Sequence, residues 1–224
     1  MHYMENSAST GGARERRKEA TYAALIDHAR RLTAEHGLAG FTVEELAEAA
    51  GVSRRTFFNY FQTKDDAVLG IRVDDVPLDA DTVFVDSPEP LPTALKDLFL
   101  RLLTSTRTLG HDVAVFMELL HSETALMKRM MQINEQRRRD LAALIARREG
   151  LAAGDPFALA AAGFVGHLAM TSMHEFVDEE HASPHDDEAE QAEEATRARF
   201  TRIVEANFAH AERLFSPTTT NAKD

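Results

Sequence analysis

Within a span of 23 residues lie Thr42, Ser53, Arg54, Arg55, Thr56, Asn59, Tyr60 and Lys64, side chains able to read and hold a nucleic acid. Arg can donate two hydrogen bonds to a guanine edge, Asn can pair with adenine, and Thr can touch a thymine methyl or a phosphate. Tyr60 and Lys64 are types that bond phosphate oxygens, contacts that hold register while base contacts specify sequence. A helix beginning at Lys64 would add free amides and a positive dipole end.

For these residues to act together, the chain must present them on one short helix held against another. Val43 to Ala50 and Arg54 to Phe61 read as two such helices, joined by a turn through Gly51 and Val52. Thr42 with Glu45, and Thr63 with Asp66, have capping-box spacing, so each pair can satisfy orphan amides at a helix start. Ser53 is a natural N-cap, and Gly51 suits a turn that needs positive φ. Leu46, Ala47, Ala50, Val52, Phe57 and Phe61 supply a compact core, which leaves Arg54, Arg55, Thr56 and Asn59 outward. This is helix-turn-helix spacing, in which the second helix enters the major groove.

The charge of the chain has to be resolved by segment before this reading can stand. The 224 residues carry a formal net charge of -12, which ordinarily discourages binding to a polyanion. Met1 to Lys64, however, has nine Lys and Arg against eight acids, a net of +1, and the remainder carries -13. The basic run Arg14 to Lys18 fits equally an arm toward phosphates or the minor groove and a solvated helix start. With 44% hydrophobic residues the chain is globular in composition, and without Cys it has no disulfide, thiolate metal site or thiol nucleophile. The opening residues lack the apolar run of a secretory signal, so a cytoplasmic location is expected.

The run "TVEELAEAAGVSRRTFFNYFQTKDDAVLG", preceded by "ARRLTAEHGLAGF", resembles the DNA-binding domain of the TetR-type (tetracycline-repressor-like) transcriptional regulators. The resemblance spans about Arg16 to Arg72 and rests on Gly37, Phe41-Thr42, the "ELAEAAGVS" turn, the "NYF" run and Lys64. It implies a homodimer whose C-terminal helices enclose a small-molecule pocket, with ligand binding releasing operator DNA. In one departure, Phe58 stands where the family commonly has a Tyr that reaches a phosphate; Phe58 has no hydroxyl to offer.

The expected fold is all-α. Residues 1–13 are expected to be a disordered arm, 14–73 the helix-turn-helix domain, 74–92 a linker, 93–216 a helical ligand-binding and dimerisation domain, and 217–224 a disordered tail. The linker holds Pro77, Pro88, Pro90 and Pro92, with "TVFV" as its only strand-like run. Helices are expected over Thr93 to Leu109, His111 to Ser122, Glu123 to Arg148, Asp155 to Val177 and Ala189 to Phe215. Phe157 to His174 has no charge over 18 residues, but its Gly, His, Thr and Ser favour a buried soluble helix over a membrane span.

The small residues Ala158, Ala162 and Gly166 and the stripe Phe200, Val204, Phe208, Ala211 and Phe215 are read as a four-helix dimer interface, ahead of each chain's own core. Candidate pocket residues are Phe99, Leu103, Phe116, Met117, Leu120, Met127, Met130, Met131, Phe164, His167, Met170, Met173 and His174, although Met-rich faces are commonly plain core. His181 and His185 lie among nine acids and could bind a divalent metal, but Ser183-Pro184 separates them and a solvated loop is the preferred reading. No nucleophile elbow, phosphate-cradling loop or dinucleotide fingerprint is present, so neither catalysis nor a cofactor is expected.

The function expected is that of a homodimeric repressor released from a palindromic operator by an unidentified small molecule, with no membrane partner. The alternatives are an activator or architectural DNA binder without ligand control, and a helical small-molecule or metal-binding protein with an unused helix-turn-helix.

Overall fold

The computed structural model describes residues 7–73, 81–105, 113–182 and 189–215, which form ten α-helices, one 3-10 turn at Leu38–Gly40 and no strand among the described residues. The α-helices are α1 (Ser7–His36), α2 (Val43–Ala49), α3 (Arg54–Phe58), α4 (Lys64–Leu69), α5 (Thr82–Val85), α6 (Leu91–Ser105), α7 (Val113–Ser122), α8 (Thr124–Glu149), α9 (Pro156–Ala182) and α10 (Ala189–Phe215). The chain divides into two compact units, Met1–Val76 with Val115–Gln132, and Pro77–Ala114 with Ile133–Asp224.

In the first unit, α1 carries Tyr22, Leu25 and Ala29 at helical spacing, and all three are buried. Tyr22 stacks on Phe61 at 5.4 Å between ring centres and donates its hydroxyl to the Gly70 carbonyl at 2.8 Å. Arg30 is also buried: its Nε donates to the Val68 carbonyl at 3.1 Å and its guanidinium lies 5.0 Å from the Phe116 ring centre. Glu123 accepts from the Leu38 amide at 2.8 Å, and Arg129 pairs with buried Asp66 at 2.9 Å. These contacts explain why Val115–Gln132 packs with the N-terminal helices, where sequence places it with residues 93–216.

In the second unit, α9 and α10 run antiparallel. Ser172 meets Asn207, whereas the later residues Phe176 and Glu179 meet the earlier residues Phe200, edge-on at 5.2 Å, and Arg202. Asn207 is buried and donates to the Ser172 hydroxyl at 3.1 Å and to the Glu175 carboxylate at 3.0 Å, so its desolvation is compensated. Phe99 packs near Phe208 at 6.3 Å.

Several expectations are corrected here. Residues 7–13, expected to be disordered, form the first turns of α1. "TVFV" is one helical turn, because Asp81 caps the Phe84 amide at 2.8 Å and Phe84 is buried beneath the Arg148 guanidinium. Arg148 donates to the carbonyls of Phe84 and Glu89, so residues 81–89 are fixed to the second unit and do not behave as a linker. Pro156–Glu179 is long and apolar enough to cross a membrane by length and composition. It is not buried all round: Ala158, Ala162, Val165, Phe176 and Val177 face the unit's core while Phe157, Phe164 and Met170 are exposed.

Candidate nucleic-acid interface

The turn between α2 and α3 is fixed at both ends by its own backbone. Gly51, at φ 68°, donates to the Glu48 carbonyl at 3.0 Å, and Val52 donates to the Ala47 carbonyl at 2.9 Å, the paired bonds of a Schellman stop. At the start of α2 the Thr42 hydroxyl accepts from the Glu45 amide at 3.2 Å, while the Glu45 carboxylate accepts from the Thr42 amide at 2.7 Å. The capping box is thus complete, and the two Thr42 donors hold the Glu45 carboxyl below the usual carboxylate range. Ser53 starts α3 by accepting from the Thr56 amide at 3.0 Å. Leu46, Ala47, Phe57 and Phe61 are buried between the helices, with the Phe57 and Phe61 rings 5.8 Å apart.

This core leaves Ser53, Arg54, Arg55 and Asn59 exposed, with Thr56 and Tyr60 half-buried beside them. Arg55 and Asn59 extend their side chains with no partner among the described residues. Arg54 is held from two sides. Its Nε lies 2.7 Å from Glu44 Oε1, and its guanidinium lies 5.2 Å from the ring centre of Phe58, which is 41% exposed. Sequence reasoning missed Glu44: ten positions from Arg54 and on another helix, it belongs to no periodic pattern.

Three placements differ from expectation. The second helix, expected to reach Phe61, ends at Phe58, where Asn59 and Tyr60 close a tighter turn through the Thr56 and Phe57 carbonyls. The Thr63 hydroxyl caps the Asp66 amide at 3.1 Å, but the Asp66 carboxylate turns to Arg129, so that pair makes only half a capping box. Lys64, expected at phosphate, donates to the Phe41 carbonyl at 2.7 Å with its ammonium 4.8 Å from the Phe41 ring centre. It therefore ties the start of α4 to the segment before α2, and only its remaining N–H bonds are available to an anion.

Residues 25–69 match the family model of the bacterial regulatory proteins of the tetR family, and residues 89–201 match that of the MftR C-terminal domain. The HTH-type transcriptional regulator TcmR of Streptomyces glaucescens is 32% identical over 159 residues, 65% of this chain and 68% of that protein. The chain belongs to the TetR family. It is an all-α, DNA-binding transcriptional regulator. The HTH-type transcriptional repressor AcnR of Corynebacterium efficiens is 41% identical over 59 residues, 26% of this chain and 31% of that protein. A crystal structure of a TetR-family transcriptional regulator from Mesorhizobium loti superimposes with a TM-score of 0.43 at 19% identity, covering 87% of this chain and 98% of that one.

The interface and pocket expectations for this TetR-family chain need correction. Ala158, Ala162, Phe200, Val204, Phe208 and Ala211 are buried within their own unit, where α10 packs on α9 and on α6. Of the interface set, Gly166 is exposed, and the side chain of Phe215 lies outside the described residues. The pocket set is divided between the units. Phe116, Met117, Leu120, Met127, Met130 and Met131 belong to the first, and Phe99, Leu103, Phe164, His167, Met170, Met173 and His174 to the second.

Phe116 lies 5.0 Å from the Arg30 guanidinium, and Met131, Phe164, His167, Met170 and His174 are exposed. Phe99, Met117, Met127, Met130 and Met173 are half-buried and Leu120 is buried; the side chain of Leu103 lies outside the described residues. A recess of about 400 Å³ does exist in the second unit, lined by Arg139, Ala142, Ala146, Arg147, Leu151 and Leu159, none of them expected. His181 and His185, with the acidic run around them, lie outside the residues whose side chains are described. Among the described residues no cluster of metal-ligating side chains occurs.

Proposed function

We propose that the chain is a cytoplasmic repressor that binds a roughly palindromic operator as a homodimer and is released by a small molecule. The observation that carries this reading is the set Arg54, Arg55 and Thr56 on an N-capped helix behind a Schellman turn, with Asn59 and Tyr60 in the turn that ends it. Two such units related by a two-fold axis would meet successive major grooves, and a palindrome mirrors that symmetry. Family membership and the AcnR relative, itself a repressor, support the sign of the regulation.

Self-association is supported by the exposed face of α9. Phe157, Phe164 and Met170 are exposed there, and nothing lies within 4 Å of where a Cβ would stand at Gly163 or Gly166, so a second helix could approach closely. Family membership supports an effector, whose action is a shift between conformers that differ in operator affinity.

The test is fluorescence anisotropy with a duplex selected from a random pool by the wild-type chain. Arg54→Ala and Asn59→Ala should each lower affinity for the selected duplex while changing affinity for random duplex little. Wild-type preference in both variants would defeat the assignment of α3 as the reading element.

A further inference from the structure

The contacts of Arg54 go beyond placing a cation near DNA. We propose that Glu44 and Phe58 are positioning residues that hold Arg54 as a preset reader of one guanine in each half-site, an inference that rests on the DNA-binding reading above. A guanidinium carries five N–H groups in a planar fork, and its Nε edge is distinct from the edge formed by the two terminal nitrogens. Glu44 Oε1 forms an ion pair on the Nε side of that fork, 2.7 Å from Nε. The terminal edge stays available, and two parallel donors there match guanine O6 and N7, both acceptors in the major groove. Adenine places a donor where guanine has O6, so the same edge rejects it.

Phe58 restrains the other degree of freedom. It lies four residues along α3 from Arg54, and its ring faces the guanidinium at 5.2 Å, which restrains the tilt of the fork. This gives a purpose to the aromatic that stands without a hydroxyl and remains 41% exposed. The ion pair is itself open to water, at 63% and 60% side-chain exposure, and exposed pairs contribute little to folding. Its consequence is orientation. Pairing also cancels the charge of Arg54, so the side chain gives up general phosphate attraction and keeps directional recognition.

The experiment uses full-length chain and its selected duplex, with single guanines replaced by 7-deazaguanine, which removes N7 and preserves base pairing. Wild type should lose about tenfold in affinity at one guanine per half-site, within the range of a bidentate contact. Arg54→Ala should show no penalty at that guanine. Glu44→Gln should keep its melting temperature, lose about threefold or more of the penalty there alone, and bind random duplex more tightly with a salt slope steeper by up to about one unit. Phe58→Ala should reduce the same penalty without steepening the slope, which separates tilt from charge.

A full wild-type penalty in Glu44→Gln would overturn the positioning role. So would higher affinity for every sequence with discrimination intact, the result expected if Glu44 merely restrained a phosphate-binding Arg. A deazaguanine penalty that survives Arg54→Ala would overturn the guanine assignment. Absence of salt-dependent binding to any duplex would instead defeat the DNA reading beneath it.

Discussion

Replacing Arg129 by Met should destabilise the first unit more than replacing Asp66 by Ala, although each change removes the same ion pair. The asymmetry follows from exposure. The Asp66 side chain is 2% exposed, whereas that of Arg129 is 37% exposed, and the pair is made through Arg129 Nε and Nη2 to a single carboxylate oxygen at 2.9 Å. In Arg129→Met the carboxylate stays buried without its partner, a situation that costs about 3–5 kcal/mol for fully buried pairs. Water on the Arg129 side argues for a reduced figure of about 2–3 kcal/mol. In Asp66→Ala the guanidinium can turn outward and recover hydration, so about 1 kcal/mol is expected. For a chain of this size the first loss corresponds to a fall in melting temperature of roughly 4–12 °C. Far-UV circular dichroism in urea reads the difference, and amide exchange at Ala67, Val68 and Leu69, all buried in α4, localises it. Equal losses in the two variants, or a larger loss in Asp66→Ala, would refute the desolvation argument.

Lys64→Ala should weaken binding to all duplexes alike and flatten the salt slope by about one unit, and loss of its bond to the Phe41 carbonyl should also lower stability by about 1 kcal/mol; anisotropy against salt and urea titration read the two effects separately. Ala162→Leu should overpack the second unit and cost about 1–3 kcal/mol in thermal melts, since Ala162 is 1% exposed, whereas Phe164→Ser should leave the melt of the isolated chain nearly unchanged and weaken self-association in sedimentation velocity. Hydrogen bonds from Arg138 and Arg139 hold the Glu135 carboxyl at about 2, below its ordinary 4.5. Because that value is depressed in the fold, its contribution to stability is present above the ordinary value and is lost as pH falls toward about 2; the urea midpoint difference between wild type and Glu135→Gln should shrink across that window.

Features encoded within a few residues were legible in the sequence, and features that depend on distant partners were not. Thr42 with Glu45, Gly51 and Ser53 act on amides three to five positions away, so their types and spacing announced the helix starts and the turn between them. "TVFV" misled because β-branched residues favour strands, while the deciding contacts come from Asp81 and, more remotely, Arg148. The stripe Phe200, Val204, Phe208 and Ala211 was visible as an apolar face, but periodicity cannot say which surface covers it, and α9 and α6 of the same chain do. Likewise Asp66 had the spacing of a capping residue, yet Arg129, sixty-three positions later, takes its carboxylate. Glu44 carried no signal because only the fold brings it to Arg54.

How a chain of net charge -12 can address a polyanion is answered by where its acids are engaged. In the helix-turn-helix segment Glu45 is bound by the Thr42 amide and hydroxyl, Glu44 by Arg54, and Asp66 by Arg129. Each of these carboxylates fixes a helix start, a reading side chain or the seat of α4, and Glu44 and Asp66 are each paired with a cation before DNA arrives. Arg54 is committed in turn to Glu44, while Lys64 gives one donor to the Phe41 carbonyl and keeps its charge, which leaves Arg55 as the exposed cation of α3 without a partner among the described residues. A surface built this way gains little from counterion release, the term that makes basic proteins bind any duplex. Its affinity must come from donors already aimed at particular acceptors, so discrimination between operator and random DNA should persist as salt is raised, even where total affinity is modest.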